Sequence, residues 1–189
     1  MSVVAGVFGP REARVPVEVV GRMLAPMARR GDGALDVEDG PGFALAVVRH
    51  PWETVPHLGG PAEVVVDGAL HVVADAALYH RPDLLRALAK HDVRPTGDTP
   101  AALVAAAYRA WGPHCAERLE GDFAFVLWDA AIRRVVCARD FAGKRPLVYA
   151  ALPGVLVVAS TAGGVLAHPA CPGTLDLVSL AETAAGLWA

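Results

Sequence analysis

The sequence predicts an α+β fold in which strands come first, two helices lie in the middle of the chain and further strands follow. Three observations support this prediction. A β-branched, uncharged run opens the chain at residues 2–8, segments with helical spacing occupy residues 82–90 and 100–110, and residues 119–150 alternate apolar runs with turn residues. At 189 residues the chain suits one layered domain with a substantial core.

The first part of the chain contains strand, helix and strand signals in that order. Residues 2–8 read SVVAGVF and stop at a Gly-Pro pair, so a strand begins at the terminus, where a sheet must hold it to prevent fraying. Residues 16–30 place apolar side chains at helical spacing and predict a helix of about four turns. A further apolar strand at residues 43–48 delivers Arg49 to its end.

A hairpin and two helices are predicted next. Residues 64–66 and 70–74 flank the turn pair Asp67-Gly68, the strongest short hairpin signal in the sequence. We expect this hairpin to share one antiparallel sheet with the strand at residues 43–48. Helices follow at residues 82–90 and 100–110, the second with Asp98, alone or with Thr99, as its N-cap.

Strands return in the last part of the chain. Residues 121–128 and 135–138 predict an antiparallel pair, and Cys137 within it is expected to be a small buried residue. The turn at residues 143–146 leads to strands at 147–151 and 155–160. Residues 176–187 are amphipathic and predict a last helix.

Composition and motifs exclude several functional classes. The formal net charge of −3 does not suggest a nucleic-acid partner, and no stretch reaches the roughly 20 apolar residues of a membrane span. Three cysteines without CxxC spacing argue against a disulfide framework and against a zinc site, so we expect reduced thiols and a cytoplasmic protein. The signatures HExxH, GxSxG and GxxxxGK[ST] are absent, and the seven histidines are scattered.

A family resemblance becomes specific at residues 119–150. Their sequence LEGDFAFVLWDAAIRRVVCARDFAGKRPLVYA resembles the segment LxGxFAFxLWD followed by ARDxxGxxPLYYA in the glutamine amidotransferase domain of asparagine synthetase and its relatives. The opening SVVAGVF is similar to that family's CGIAGIF start, VVADAALYHRPDLLRAL to its AVNGEIYNHxxLRxxL, and TGDTPAALVAAAYRAWG to its TSDxExxLxxYxxWG. The resemblance implies an N-terminal-nucleophile fold, a four-layer αββα sandwich of two antiparallel sheets between helical layers.

The resemblance also implies a division of the chain and a set of site residues. Residues 1–170 correspond to the amidotransferase-like domain, and residues 171–189 to a linker and the start of a helix leading toward a synthetase domain that the sequence lacks. In the family, the free α-amine of a first-residue cysteine activates its own thiolate, which attacks the glutamine amide and releases ammonia. An Asn-Gly pair helps to form the oxyanion hole, and an arginine and an aspartate hold the substrate. The matching positions here are Ser2 for the nucleophile after removal of Met1, Asp75 and Ala76 for the Asn-Gly pair, and Arg49 and Asp98 for the substrate clamp.

These substitutions predict a pocket that does not hydrolyse glutamine. Ser2 is a weaker nucleophile than a cysteine thiolate. Asp75 removes an amide donor and adds a carboxylate where negative charge develops, and a single lost oxyanion donor costs about 2.7 to 4 kcal/mol of transition-state stabilisation. We therefore expect a vestigial substrate pocket of Arg49, Asp75, Ala76 and Asp98 with no metal. The residues alone equally allow Arg49 as a surface charge and Asp98 as a helix cap.

The leading functional hypothesis is a degenerate, glutaminase-inactive domain of an ATP-dependent, amide-forming ligase of the asparagine synthetase type. β-Lactam synthetases and lasso peptide cyclases, which are relatives of this kind, join an adenylated carboxylate to an amine already within their substrate and need no ammonia. The expected partner is a synthetase domain, in cis or as a separate chain, which would bind ATP and Mg and act on a peptide or small molecule. This chain itself would bind no cofactor and, as a fragment or one half of a split protein, would not be catalytic alone.

Two alternatives from other classes remain open at this point. One is an active Ser-dependent N-terminal amidohydrolase that uses Ser2. The other is a stand-alone interaction module for a peptide or protein, which predicts an exposed apolar patch and no organised pocket at Ser2.

Overall fold

The computed structural model describes residues 2–30, 35–49, 63–174 and 176–186. Nine strands and five α-helices form within these residues. The strands are β1 (Val3–Phe8), β2 (Leu35–Gly40), β3 (Phe43–Val48), β4 (Val65–Asp67), β5 (Leu70–Leu78), β6 (Gly121–Asp129), β7 (Arg134–Arg139), β8 (Val148–Leu152) and β9 (Val155–Ala159). The α-helices are α1 (Val17–Leu24), α2 (Arg81–Ala89), α3 (Pro100–Trp111), α4 (Ala162–Leu166) and α5 (Leu177–Ala184), with 3-10 helices at Ala25–Arg30 and Gly112–Arg118.

The strands form two antiparallel sheets. The order in the five-stranded sheet is β2-β3-β1-β9-β8, and that in the four-stranded sheet is β4-β5-β6-β7. β1 lies in the middle of the larger sheet, paired with β3 from Val3↔Val48 to Phe8↔Phe43 and with β9 on its other side. The first strand is therefore held from both sides, as the sequence predicted for a strand at the terminus.

One predicted strand arrangement was wrong. We expected the strand at residues 43–48 and the hairpin around Asp67-Gly68 to share a sheet, but β3 lies in the five-stranded sheet and β4 and β5 lie in the four-stranded one. Both segments are apolar and buried, and burial alone does not say which neighbour a strand pairs with. β3 pairs with β1 and β2, which its sequence does not reveal.

Three apolar clusters separate the layers of the fold. The alternate residues Val3, Ala5 and Val7 of β1 pack with α1 and α4 on the outside of the larger sheet, whereas Val4 and Phe8 face the smaller sheet. The outer face of the smaller sheet packs against α2 and α3. The order helix, sheet, sheet, helix confirms the predicted four-layer αββα sandwich.

Helix ends differ from the prediction in two places. The segment at residues 16–30 is an α-helix only as far as Leu24 and continues as a 3-10 helix, because Pro26 lacks an N–H and its ring clashes with the preceding turn. Thr99 is the N-cap of α3, since its hydroxyl oxygen accepts a hydrogen bond from the Ala102 N–H at 3.3 Å. Asp98 precedes this cap and is not part of it.

Cys137 and the last helix, α5, are both exposed. Cys137 is exposed on the edge strand β7, so the expectation that it is buried was wrong. α5 begins at its N-cap Asp176, and all of its residues are exposed. The predicted helix extended to residue 187, which lies outside the described residues, and the division of the chain at residue 170 stays a prediction.

None of the helices in the described ranges is long and apolar enough to cross a membrane.

Gly121, at the start of β6, provides a test of this packing. Its φ is +141°, and a Cβ there would collide with the carbonyl oxygen of Ala77 on β5. We predict that Gly121→Ala lowers the free energy of unfolding by about 3 kcal/mol, from the strained backbone together with the clash. The matched control is Gly154→Ala, which also has positive φ (+76°) but has nothing within 4 Å of the new Cβ and should cost only about 1 to 2 kcal/mol.

The measurement is urea unfolding of the two variants and the wild type. Equal midpoints for Gly121→Ala and Gly154→Ala would show that the close approach of β5 and β6 at Gly121 is not a constraint on the fold.

Candidate functional site

The alternation of side chains along three strands brings Ser2, Arg49 and Asp75 to one end of the space between the sheets. Even-numbered residues of β1 and odd-numbered residues of β3 face the other sheet, so Ser2 and Arg49, directly beyond the strand ends, continue on the same faces. On β5, Asp75 shares the face of Val73, which packs between the sheets. All three are buried, with exposed fractions of 1% for Ser2, 3% for Arg49 and 2% for Asp75.

Arg49 connects Ser2, directly before β1, with the opposite sheet. Its Nε donates to the Ser2 Oγ at 3.3 Å, and its Nη2 donates to the Ala76 carbonyl oxygen, also at 3.3 Å. Arg49 is thus an internal cation and not a surface charge. The guanidinium has donors only, so it cannot take a proton from the Ser2 hydroxyl.

Asp75 forms a buried ion pair with a residue that sequence reasoning did not place in the site. The Arg145 Nη1 donates to the Asp75 Oδ1 at 3.1 Å, and 16% of the Arg145 side chain is exposed. A carboxylate withdrawn from water in this way needs a cation or hydrogen-bond donors to offset its lost hydration. Arg145 therefore belongs to the site as the cationic partner of Asp75.

Asp140 fixes the loop on which Arg145 lies. Its carboxylate accepts hydrogen bonds from the backbone N–H groups of Lys144 and Arg145, each at 3.1 Å, and from that of Phe123 at 3.3 Å. Burial of Asp140 opposes its charged form, but the backbone donors of Arg145, Lys144 and Phe123 outweigh this and hold the pKa of the carboxyl below its ordinary value of 3.8. The carboxylate thus holds the backbone of residues 140–145 in one conformation and Arg145 over Asp75.

Asp98 is apart from this buried cluster. It is exposed in the loop before α3, and no hydrogen bond or ion pair joins its carboxylate to another described residue. Its neighbour Thr99 donates to Glu63 and caps α3. A role for Asp98 in holding a substrate stays a prediction.

The sequence contained a signal for the two missed residues. Arg139-Asp140 closes a strand with opposite charges, and Arg145 precedes the Pro146 that ends the following turn. These features predicted a turn but not that an aspartate would cap its backbone, nor which carboxylate the arginine would meet. Within the part of the chain that the structure describes, no cluster of three or more His, Cys, Asp or Glu side chains could hold a metal ion.

Comparison with known proteins places these residues in a family context. The sequence model of a family described as a glutamine amidotransferase domain matches residues 1–187. Glutamine-hydrolyzing asparagine synthetase 3 of Bacillus subtilis is 30% identical over 113 residues, which cover 59% of this chain and 18% of that protein. A putative glutamine-hydrolyzing asparagine synthetase of Mycobacterium bovis is 47% identical over 64 residues, 34% of this chain and 10% of that protein. The chain thus matches less than a fifth of the length of these curated relatives.

Solved structures show the same fold at low sequence identity. A chain of glutamine phosphoribosylpyrophosphate amidotransferase from B. subtilis, complexed with ADP and GMP, superposes with a TM-score of 0.58 at 19% identity, covering 84% of this chain and 41% of that chain. A structure of the allosteric regulatory enzyme of purine biosynthesis gives a TM-score of 0.62 at 16% identity, covering 89% of this chain and 44% of that chain. At these identities the likeness is one of fold alone.

The lowered pKa of Asp140 gives a prediction about pH. A carboxyl whose pKa is lower in the folded than in the unfolded protein stabilises the fold above the unfolded pKa, and this contribution is lost as the pH falls through the folded value. We expect Asp140→Asn to lower the free energy of unfolding by about 2 kcal/mol at pH 6, because the charged acceptor of three N–H groups is gone. The difference from wild type should shrink as the pH falls below 3.8.

Urea unfolding of wild type and variant between pH 6 and pH 2.5 measures this difference. The control is Asp122→Asn, the same change at a partly exposed carboxylate that bonds the Tyr79 hydroxyl and the Lys144 ammonium. If the difference in the free energy of unfolding between wild type and Asp140→Asn stays constant over the whole pH range, the ionised carboxylate does not stabilise the loop as proposed.

Proposed function

This chain belongs to the glutamine amidotransferase domain family, and from that premise we propose that it is a glutaminase-like domain without glutaminase activity, serving an amide-forming ligase of the asparagine synthetase type. The observation that supports the proposal most strongly is the buried ion pair between Asp75 and Arg145. It occupies the position at which the family resemblance requires a hydrogen-bond donor to the substrate.

The electrostatics of this ion pair oppose amide hydrolysis. Attack on an amide carbonyl places negative charge on its oxygen, which needs hydrogen-bond donors fixed in advance. An ionised carboxylate only accepts hydrogen bonds, and the Arg145 guanidinium stabilises that ionised form of Asp75. Loss of a donor and addition of a like charge both raise the energy of the tetrahedral intermediate.

Ser2, at the nucleophile position, also disfavours amide hydrolysis. A serine hydroxyl is a weaker nucleophile than a cysteine thiolate even when the free α-amine of residue 2 acts as its base. The Ser2 oxygen also accepts a hydrogen bond from the Arg49 Nε at 3.3 Å. The Arg49 Nη2 is also bonded to the Ala76 carbonyl, so part of the cation that would clamp a substrate carboxylate is used within the protein. These contacts support a structural role for residues at the former pocket.

The ligase part of the proposal rests on the relatives. The curated matches include proteins named as asparagine synthetases, of which the chain covers a small part. We propose a synthetase domain as partner, in cis or as a separate chain, with ATP and Mg bound there. An enzyme such as a β-lactam synthetase or lasso peptide cyclase, in which the attacking amine is already part of the substrate, would have no use for ammonia. Three cysteines without a disulfide suit the cytoplasm.

One alternative has an observation in its favour. Amidase chyE of Penicillium rubens is 34% identical over 94 residues, 50% of this chain and 14% of that protein. Together with the fixed, buried hydroxyl of Ser2, this favours a Ser-dependent amidohydrolase as the second candidate function. It requires that Ser2→Ala abolish hydrolysis of an amide.

The test compares loss and restoration of ammonia release from glutamine. We expect the wild-type chain, with removal of Met1 verified by intact mass, to release no more ammonia than Ser2→Ala. We expect Ser2→Cys/Ala76→Gly to remain poorly active and the addition of Asp75→Asn to raise its rate by about 10²- to 10³-fold, the value of one oxyanion donor. Asp122→Asn in the same background is the matched control and should give no gain.

The outcomes separate the candidates. Ammonia release by the wild type that Ser2→Ala abolishes would overturn the proposal in favour of the amidohydrolase. Equal rates with and without Asp75→Asn would show that Asp75 is not the residue that blocks the chemistry.

A further inference from the structure

Two sheets leave four edge strands, and edges with unpaired N–H and C=O groups pair readily with other chains. The edges are β2 and β8 in the larger sheet and β4 and β7 in the smaller one. Natural proteins protect such edges with charged residues, prolines, very short strands or covering segments. The four edges of this domain are protected to different degrees.

Three of the four edges have such protection. β2 has three acidic residues, and one of them, Asp36, accepts a hydrogen bond from the Val64 N–H at 2.8 Å, so Val64 contacts that strand. β4 is only three residues long. β7 begins at Arg134 and ends at Arg139, which places a charge at each end of the strand.

The edge strand β8 has none of these features. Its sequence VYAAL has no charged residue and no proline, and 69% of Tyr149 is exposed. Among the described residues, β8 makes backbone hydrogen bonds with β9 only. Within the described ranges, the outer edge of β8 is therefore an uncharged row of backbone donors and acceptors that no other strand pairs with.

The turn after β8 determines which residues face outward. Two residues, Pro153 and Gly154, connect the pair Leu152↔Val155, so that pair closes the hairpin by mutual hydrogen bonds. In an antiparallel ladder such pairs alternate, so Ala150 and Val148 also bond to β9. The N–H and C=O groups of Tyr149 and Ala151 then point away from the sheet.

We propose that β8 pairs antiparallel with β8 of a second copy of this chain, about a two-fold axis at Ala150. In this register Tyr149 lies opposite Ala151 of the other copy, and the two residues exchange hydrogen bonds on each side of the axis. Val148 lies opposite Leu152, which joins two apolar residues on one face. The sequence VYAAL is thus complementary to itself.

Sterics and charge agree with this occupant. The two Ala150 residues meet as a non-hydrogen-bonded pair, the closest pair of a ladder, where small side chains fit best. Each exposed Tyr149 ring covers the small Ala151 of the other copy. No charged residue of β8 opposes the contact, although the chain has a net charge of −3.

The size of the contact defines the kind of dimer. Five residues from each copy form a small interface, below the standard size of stable complexes, so the dimer should depend on concentration. Sedimentation over a concentration series should show the average mass rising from 19.7 kDa toward about twice that value.

The decisive variant is Tyr149→Lys/Ala151→Lys. It places lysine opposite lysine on both sides of the axis and should keep the chain at 19.7 kDa at every concentration. The matched control is Val66→Lys/Ile132→Lys, which adds the same charge at two other exposed apolar residues and should leave the association unchanged. Unfolding curves verify that both variants are folded.

A cross-link reports the register independently. In a Cys137→Ser background, Ala150→Cys should form a disulfide dimer under mild oxidation, because cysteines in a pair at the axis have suitably close Cβ atoms. Ile132→Cys in the same background should not. A wild-type chain that stays monomeric at all concentrations, a dimer that survives the lysine pair, or equal cross-linking of both cysteines would overturn the proposal.

Discussion

The structure depends on β1 being buried on both faces. One face of the strand packs against helices and the other against the second sheet, and all six of its residues are buried. Because a strand with two covered faces cannot leave the sheet without exposing both cores, Ser2, directly before Val3, is held inside the molecule. Ser2 is buried for this reason, and its hydroxyl meets whatever side chains lie at the same ends of the neighbouring strands.

The space between the sheets contains charged side chains that need partners. Arg49, directly after β3, and Asp75, within β5, face the space between the sheets, where an isolated charge is costly. Arg49 is satisfied by the Ser2 oxygen and the Ala76 carbonyl, and Asp75 by Arg145 on a loop that Asp140 holds in place. Removing one partner of such a buried pair lowers the stability of the fold strongly, even when the intact pair adds little net stability. The substitution at Asp75 is thus coupled to a residue 70 positions later in the chain.

The sequence predicted what depends on local pattern and on family resemblance. The strand at the terminus, the Asp67-Gly68 hairpin and the four-layer order are confirmed. The prediction of the sheet to which β3 belongs was wrong, because apolar periodicity indicates which faces of a strand are buried and does not indicate which strands it pairs with. Asp140 and Arg145 were missed for a similar reason: their partners are brought close only by tertiary structure. Cys137 was expected to be buried, but an edge strand leaves part of its face uncovered.

Arg49 indicates how the fold would persist under the proposed loss of glutaminase activity. Its two hydrogen bonds join the Ser2 hydroxyl, directly before β1 of the larger sheet, to the Ala76 carbonyl of the smaller sheet, so Arg49 connects the two sheets. A change of side chain at Asp75 or Ala76 leaves the bond to the Ala76 carbonyl in place, because Arg49 donates there to the backbone. The stabilising contacts around the site therefore do not require the reaction. If the domain is inactive, as we propose, the substitutions that remove amide hydrolysis need not alter its folded surface.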